Sequence, residues 1–154
     1  MKKKYTTTEF GFMVDKALID DWKFRSDESL RSAGILNRTY PQPVEIICGL
    51  AHQSAELAVK GVCAARYPER AVLKKHDLTQ LINLCGLSEI DSEVLLAVEF
   101  LRPYDGNIRY PGNLLSNNPS YISVQAAGKA IDAAEIVNKW AEKEIDKVYQ
   151  STER

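Results

Sequence analysis

His52, Glu56 and Lys60 recur every four residues, so a helix through them carries all three on one face, with Gln53 beside them. An imidazole one turn from a carboxylate can pass a proton near neutral pH, which is the chemistry of general acid–base catalysis. The plainer reading is a satisfied polar strip at a helix or subunit contact. It is favoured, because polar groups at such contacts are normally paired. Glu56 and Lys60 stand in the favourable i, i+4 order and contribute about 0.2–0.5 kcal/mol if exposed.

A second group could grip an anion. Arg66, Arg70, Lys74 and Lys75 are the densest basic run, and His76 follows directly. Arg102, Tyr104, Asp105, Arg109 and Tyr110 then fall within a stretch held by Pro103 and Pro111. Arginines there would supply bidentate contacts to a phosphate, and Tyr104 or Tyr110 a face for a base. The candidate nucleotide- or anion-binding residues are therefore Arg102, Tyr104, Asp105, Arg109, Tyr110, Lys74, Lys75 and His76. Each has a structural alternative. His76 and Asp77 suit the start of a helix, Arg109 could fix its own loop through Asp105, and the basic run could be a solvated face.

Other chemistries find little support. Two histidines far apart in sequence do not make a metal site. No phosphate-cradling glycine loop and no Gly-x-Ser-x-Gly elbow occurs, so no cofactor and no serine nucleophile are expected. Cys48, Cys63 and Cys85 are odd in number and show no Cys-x-x-Cys spacing. They read as small buried apolar residues carrying free thiols in a reducing compartment. Asp20, Asp21, Asp27 and Glu28 spread around a helix as a solvated face.

These residues need elements to position them. With 154 residues, 45% hydrophobic and 27% charged, the chain suits one domain with a sizeable core, 1–154, its ends at 1–9 and 150–154 expected to be flexible. A net charge of −1 gives no global attraction for nucleic acid, so an anion site must be local. No run of about eighteen apolar residues occurs, and the basic start at Lys2 to Lys4 lacks the apolar stretch of a secretory signal. The expected location is the cytoplasm, away from any membrane.

Periodicity predicts five helices. The first runs from about Phe10 to Leu36, with Val14, Leu18, Trp22 and Ala33 on its apolar side and acidic Asp15, Asp20 and Asp21 near its start. Pro41 and Pro43 end the connection after it. The second spans about Val44 to Arg66. Its stripes Ile46, Leu50, Leu57, Gly61 and Ile47, Ala51, Ala58, Val62 predict burial on more than one side. A short third helix covers about Asp77 to Cys85, capped by Gly86. A fourth runs from about Glu89 to Leu101 behind Ser88 and Asp91. Asn118-Pro119 precedes the last, which reaches about Tyr149. No segment alternates as a strand should. The expected fold class is all-α, an up-down antiparallel helical bundle of four long helices plus one short helix.

In this setting the chain resembles the HEPN (higher eukaryotes and prokaryotes nucleotide-binding) domain family, from about Val14 to Val148. Gln53, Glu56 and Lys60 match its Gln-x-x-Glu-x-x-x-Lys helix, His76-Asp77-Leu78 its His-Asp-Leu, and Arg109-Tyr110-Pro111 its Arg-Tyr-Pro. The resemblance implies a helical bundle that often forms a homodimer, and a frequent partner in a small nucleotidyltransferase, the context of a toxin–antitoxin pair. Some members are metal-independent ribonucleases in which four to six residues separate an arginine from a histidine. After Arg109 those positions hold Leu114, Leu115 and Ser116; after Arg102 they hold Asn107, Ile108 and Arg109. The histidine is missing, and leucine cannot move protons. The expected function is thus a non-enzymatic, dimeric module that binds nucleotide or RNA phosphate or pairs with a nucleotidyltransferase. A ribonuclease with a divergent site using Arg109, Arg102 and His76 is the enzymatic alternative. A purely structural dimerisation partner is the third.

Overall fold

The computed structural model describes residues 5–7, 13–68, 76–85, 90–105 and 123–152. Within them five helices follow a short ladder: α1 (Lys16–Leu36), α2 (Val44–Arg66), α3 (Leu78–Leu84), α4 (Ser92–Leu101) and α5 (Val124–Thr152). A single 3-10 turn, Arg102–Tyr104, continues α4. The all-α bundle is as expected.

The first helix begins later than its periodicity predicts. β1 (Tyr5–Thr7) pairs antiparallel with β2 (Met13–Asp15), Tyr5 opposite Asp15, so the chain is extended up to the helix start. Asp15 then caps α1, its carboxylate accepting the Leu18 N–H at 3.1 Å. The buried side of α1 keeps Ala33 of the expected stripe, with Trp22 against Gly61, but takes Ile19 in place of Leu18. Ile19, Ser26 and Ala33 are buried, whereas Leu18 is exposed.

The limits of α2 match the expected ones, between Pro43 and Tyr67-Pro68. Ile47, Ala51, Ala55, Ala58, Val59 and Val62 are all buried, so neighbours cover the helix on several sides. Leu57 is only half-buried and Ile46 is exposed, which turns the inner face toward the Ile47 stripe.

Pairings across the bundle give the helix directions. Ser26 meets Ser54, and Gly61 lies against Trp22, so α1 and α2 run antiparallel. Ser54 meets Asn138, and Gly61 also faces Ile145, so α2 and α5 run the same way. Ser26, Ser54 and Asn138 tie all three helices together. Asn138 Nδ2 donates to Ser54 Oγ at 2.8 Å, Ser54 Oγ donates to the Ser26 carbonyl at 2.8 Å, and Ser26 Oγ lies 2.6 Å from Asn138 Oδ1. Such a network costs little when every member is satisfied, and it fixes the helix register.

α3 and α4 are shorter than expected, and α5 runs to Thr152, past its expected end near Tyr149. Asp77 caps α3, accepting the Gln80 N–H at 2.9 Å, and Leu78, Leu81 and Ile82 bury its inner side. α4 starts at Ser92, three residues past Glu89. Ser123 accepts the Ala126 N–H at 3.0 Å and so caps α5. Gly86, Ser88 and Asn118-Pro119 lie outside the described residues.

The cysteines depart from expectation. Cys63 on α2 and Cys85 at the end of α3 are disulfide-bonded, with Cα atoms 5.1 Å apart. The odd number of cysteines and the lack of a Cys-x-x-Cys spacing point to reduced thiols, whereas the packing of α3 on α2 brings together two that stand 22 residues apart. Cys48 keeps a buried thiol, which burial pushes up to about 11, leaving it a poor nucleophile.

Candidate functional site

The polar strip of α2 is drawn into the bundle. The Lys60 side chain is only 3% exposed and the Glu56 side chain 12%. Lys60 Nζ lies 2.9 Å from Glu56 Oε1 and 5.7 Å from the centroid of the Trp22 ring on α1. The pair is therefore an internal charge pair supported by a cation–π contact, within the satisfied polar strip expected at a helix contact.

The same carboxylate oxygen receives a second partner. His76 Nδ1 lies 2.7 Å from Glu56 Oε1, and the His76 side chain is 71% exposed. Glu56 thus fixes one ring nitrogen while Nε2 is the nitrogen left for a ligand. Asp77 holds the helix next to it through its cap on Gln80.

His52 completes the cluster from one turn earlier. Its Nδ1 is 3.9 Å from Glu56 Oε2, beyond a direct hydrogen bond. Burial pulls its pKa below the ordinary value of 6.5 and outweighs the carboxylates of Glu56, Asp105 and Asp77, which act to keep it charged; His76 acts with burial. The neutral form is favoured. Asp105 and His76, far apart in sequence, both lie near enough to act on the charge of this one ring.

Other predicted residues have different surroundings. Tyr104 is buried, 6.0 Å from the Phe100 ring between centroids, so its ring packs in the core instead of presenting a face to a base. Arg102 is exposed, with Nη1 3.7 Å from Glu99 Oε2, a pair weak enough to open for an anion. Arg66 leaves the expected basic surface to bond Glu144 on α5. Lys74, Lys75, Arg109 and Tyr110, like Leu114 to Ser116, lie outside the described residues. Sequence reading missed that Glu56 serves both Lys60 and His76. No spacing rule links residues twenty apart across a connection. Among the described residues, no His, Cys, Asp and Glu side chains group as metal ligands, and no helix is long and apolar enough to cross a membrane.

The architecture has a counterpart in known proteins. A HEPN domain profile matches residues 19–145. The chain belongs to the HEPN domain family. A crystal structure of an archaeal HEPN homologue superposes with a TM-score of 0.61 at 22% identity, over 82% of this chain and 97% of that one. At that identity the likeness speaks for the fold. No curated protein matches the chain. The HEPN match begins at Ile19 and ends at Ile145, so it takes in α2 whole, with His52, Glu56 and Lys60, as well as His76 and Asp105.

Proposed function

We propose that this HEPN chain is a non-enzymatic, dimeric module that binds the phosphate of a nucleotide or RNA beside His76. The single observation that carries the reading is the exposed His76 imidazole held at Nδ1 by the inner carboxylate of Glu56. A ring fixed in this way presents Nε2 in one direction, and as an imidazolium it donates a charge-assisted hydrogen bond to a phosphate oxygen. Lys74 and Lys75 immediately precede His76 in sequence, and Arg109 and Tyr110 follow Asp105 by four and five residues. They would add charge and a stacking face. Arg102, with its weak exposed pair, would close the set. For a dimer, or for a nucleotidyltransferase partner, α4 offers the exposed Leu95 and Leu96. The working location is the cytoplasm.

Titration of ATP and short RNAs against wild type, His76→Ala and Arg109→Ala tests the site. Binding weakened in both variants is the expected result. No binding by wild type at millimolar ligand, or unchanged affinity in both variants, would sink it. Light scattering reads the dimer, and co-purification with an adjacently encoded nucleotidyltransferase reads the partner.

A second reading has an observation in its favour. A carboxylate orienting an imidazole is also the arrangement of a general acid–base pair, so Glu56 and His76 could serve a metal-independent ribonuclease despite the histidine missing after Arg109. Metal-free protein incubated with labelled RNA decides it: cleavage lost in His76→Ala supports an enzyme, and intact RNA removes the reading.

A further inference from the structure

α3 is a helix of seven residues, too short to persist without tertiary support. It is fastened to α2 at both ends. At its start, His76 is held to Glu56; at its finish, Cys85 is bonded to Cys63. Glu56 and Cys63 are seven residues, or about 10 Å, apart along α2, the length that seven helical residues cover. The last turn of α3 lies directly on this segment. Cys63 Sγ is 3.6 Å from the Leu81 carbonyl oxygen, and Cys85 Sγ is 3.9 Å from that of Val59. Both sulfurs are buried.

We infer that the Cys63–Cys85 bridge is a redox latch that clamps α3 on α2 and thereby holds His76 against Glu56. It regulates the site described above, and in its effect on affinity it rests on that reading. In the oxidised state both fastenings are present. Reduction consumes two thiols of an external reductant such as glutathione: the Sγ–Sγ bond breaks, two electrons and two protons arrive, and the reductant leaves as its own disulfide. The covalent fastening at Cys85 is then gone, and α3 rests on the burial of Leu78, Leu81 and Ile82 and on the single contact of His76 with Glu56. Its opening becomes easier, and His76 loses its fixed orientation. Because both sulfurs are buried, exchange passes through an opened α3, so opening and reduction favour one another.

The bridge is tested first by mapping alkylated peptides without reductant after treatment with a mild thiol oxidant. A joined Cys63–Cys85 peptide with Cys48 alkylated alone is expected; three alkylated thiols would overturn the latch. Hydrogen exchange and the His76 ring resonances are then compared between oxidised and reduced protein. Reduction should speed exchange at residues 78–84 by about tenfold or more, move the His76 resonances, and leave α5 unchanged. The Cys63→Ala/Cys85→Ala variant should reproduce the reduced pattern without reductant. Equal exchange and equal His76 resonances in the two states would make the bridge a passive staple and overturn the inference. ATP affinity is measured in both states as a separate readout. Absence of ATP binding in either state counts against the phosphate site, while the exchange and resonance data decide the latch by themselves.

Discussion

His76 Nδ1 lies 2.7 Å from Glu56 Oε1, twenty positions earlier in the chain. The contact joins an exposed imidazole to a carboxylate that Lys60 already neutralises from inside. Glu56 therefore has two duties. Inward, it balances a lysine with almost no access to water; outward, it orients an imidazole that is open to solvent. Any change at Glu56 acts on stability and on the site together, and the two effects have to be separated by a variant that keeps one.

Glu56→Ala removes the carboxylate 2.9 Å from the buried Lys60 ammonium, and breaking such a pair should cost about 3–5 kcal/mol. Lys60→Met keeps similar volume and removes the charge, so it should cost less. It should also leave the His76 contact in place. Urea unfolding of both single variants and of the Glu56→Ala/Lys60→Met double variant measures the coupling. The double should be less destabilised than the sum of the singles by about 1 kcal/mol or more. Additive losses would mean that the pair is not coupled.

The split between what the sequence disclosed and what it withheld follows the range of each signal. The limits of α2 were legible because Pro43 and Tyr67-Pro68 bracket an uninterrupted helical pattern. The start of α1 was not, since Phe10 to Asp15 carries apolar residues compatible with either state, and the Asp15 cap decides between them. His52, Glu56, His76 and Asp105 could each be singled out by type. Their convergence could not, because it depends on how α3 and the end of α4 pack on α2. Tyr104 shows the opposite failure. A tyrosine among polar residues reads as an exposed stacking face, yet its burial beside Phe100 is a tertiary fact.

Core depth separates two leucines that the sequence alone treats alike. Leu101 is fully buried at the end of α4, and Leu57 is half-buried on α2. Leu101→Ala should cost about 2–5 kcal/mol through lost contacts and a residual cavity. Leu57→Ala should cost distinctly less. Thermal or urea denaturation ranks them, and an equal loss would place Leu57 in the core after all.

Gly49 sits inside α2 with open space where a side chain would begin. Gly49→Ala removes backbone freedom from the unfolded chain and meets nothing in the folded one. It should stabilise by about 0.5–1 kcal/mol. Gly61 differs, since a Cβ there would stand 3.4 Å from Trp22 Cβ and 3.5 Å from Ile145 Cδ1. Alanine fits at ordinary contact distance, whereas Gly61→Leu should overpack the junction of α1, α2 and α5 at about 1–3 kcal/mol. Unfolding midpoints of the three variants check the order.

His52 gives the fold a pH dependence whose sign can be worked out. Burial lowers its pKa in the folded protein below 6.5, so the folded state holds the ring neutral where the unfolded chain already takes up a proton. Between the folded pKa and 6.5 the unfolded state binds more protons, and stability therefore rises with pH. The neutral-ring contribution is fully present above the unfolded value and is lost as acidity increases below it, by at most about 1.4 kcal/mol per pH unit. Glu56, Asp105 and Asp77 soften the loss, since they favour the charged ring. Urea midpoints from pH 7.5 to pH 5 should thus fall for wild type more steeply than for His52→Gln, which has no proton to take up at that position. Parallel profiles for the two proteins would show that His52 is not the buried neutral group that its surroundings make it.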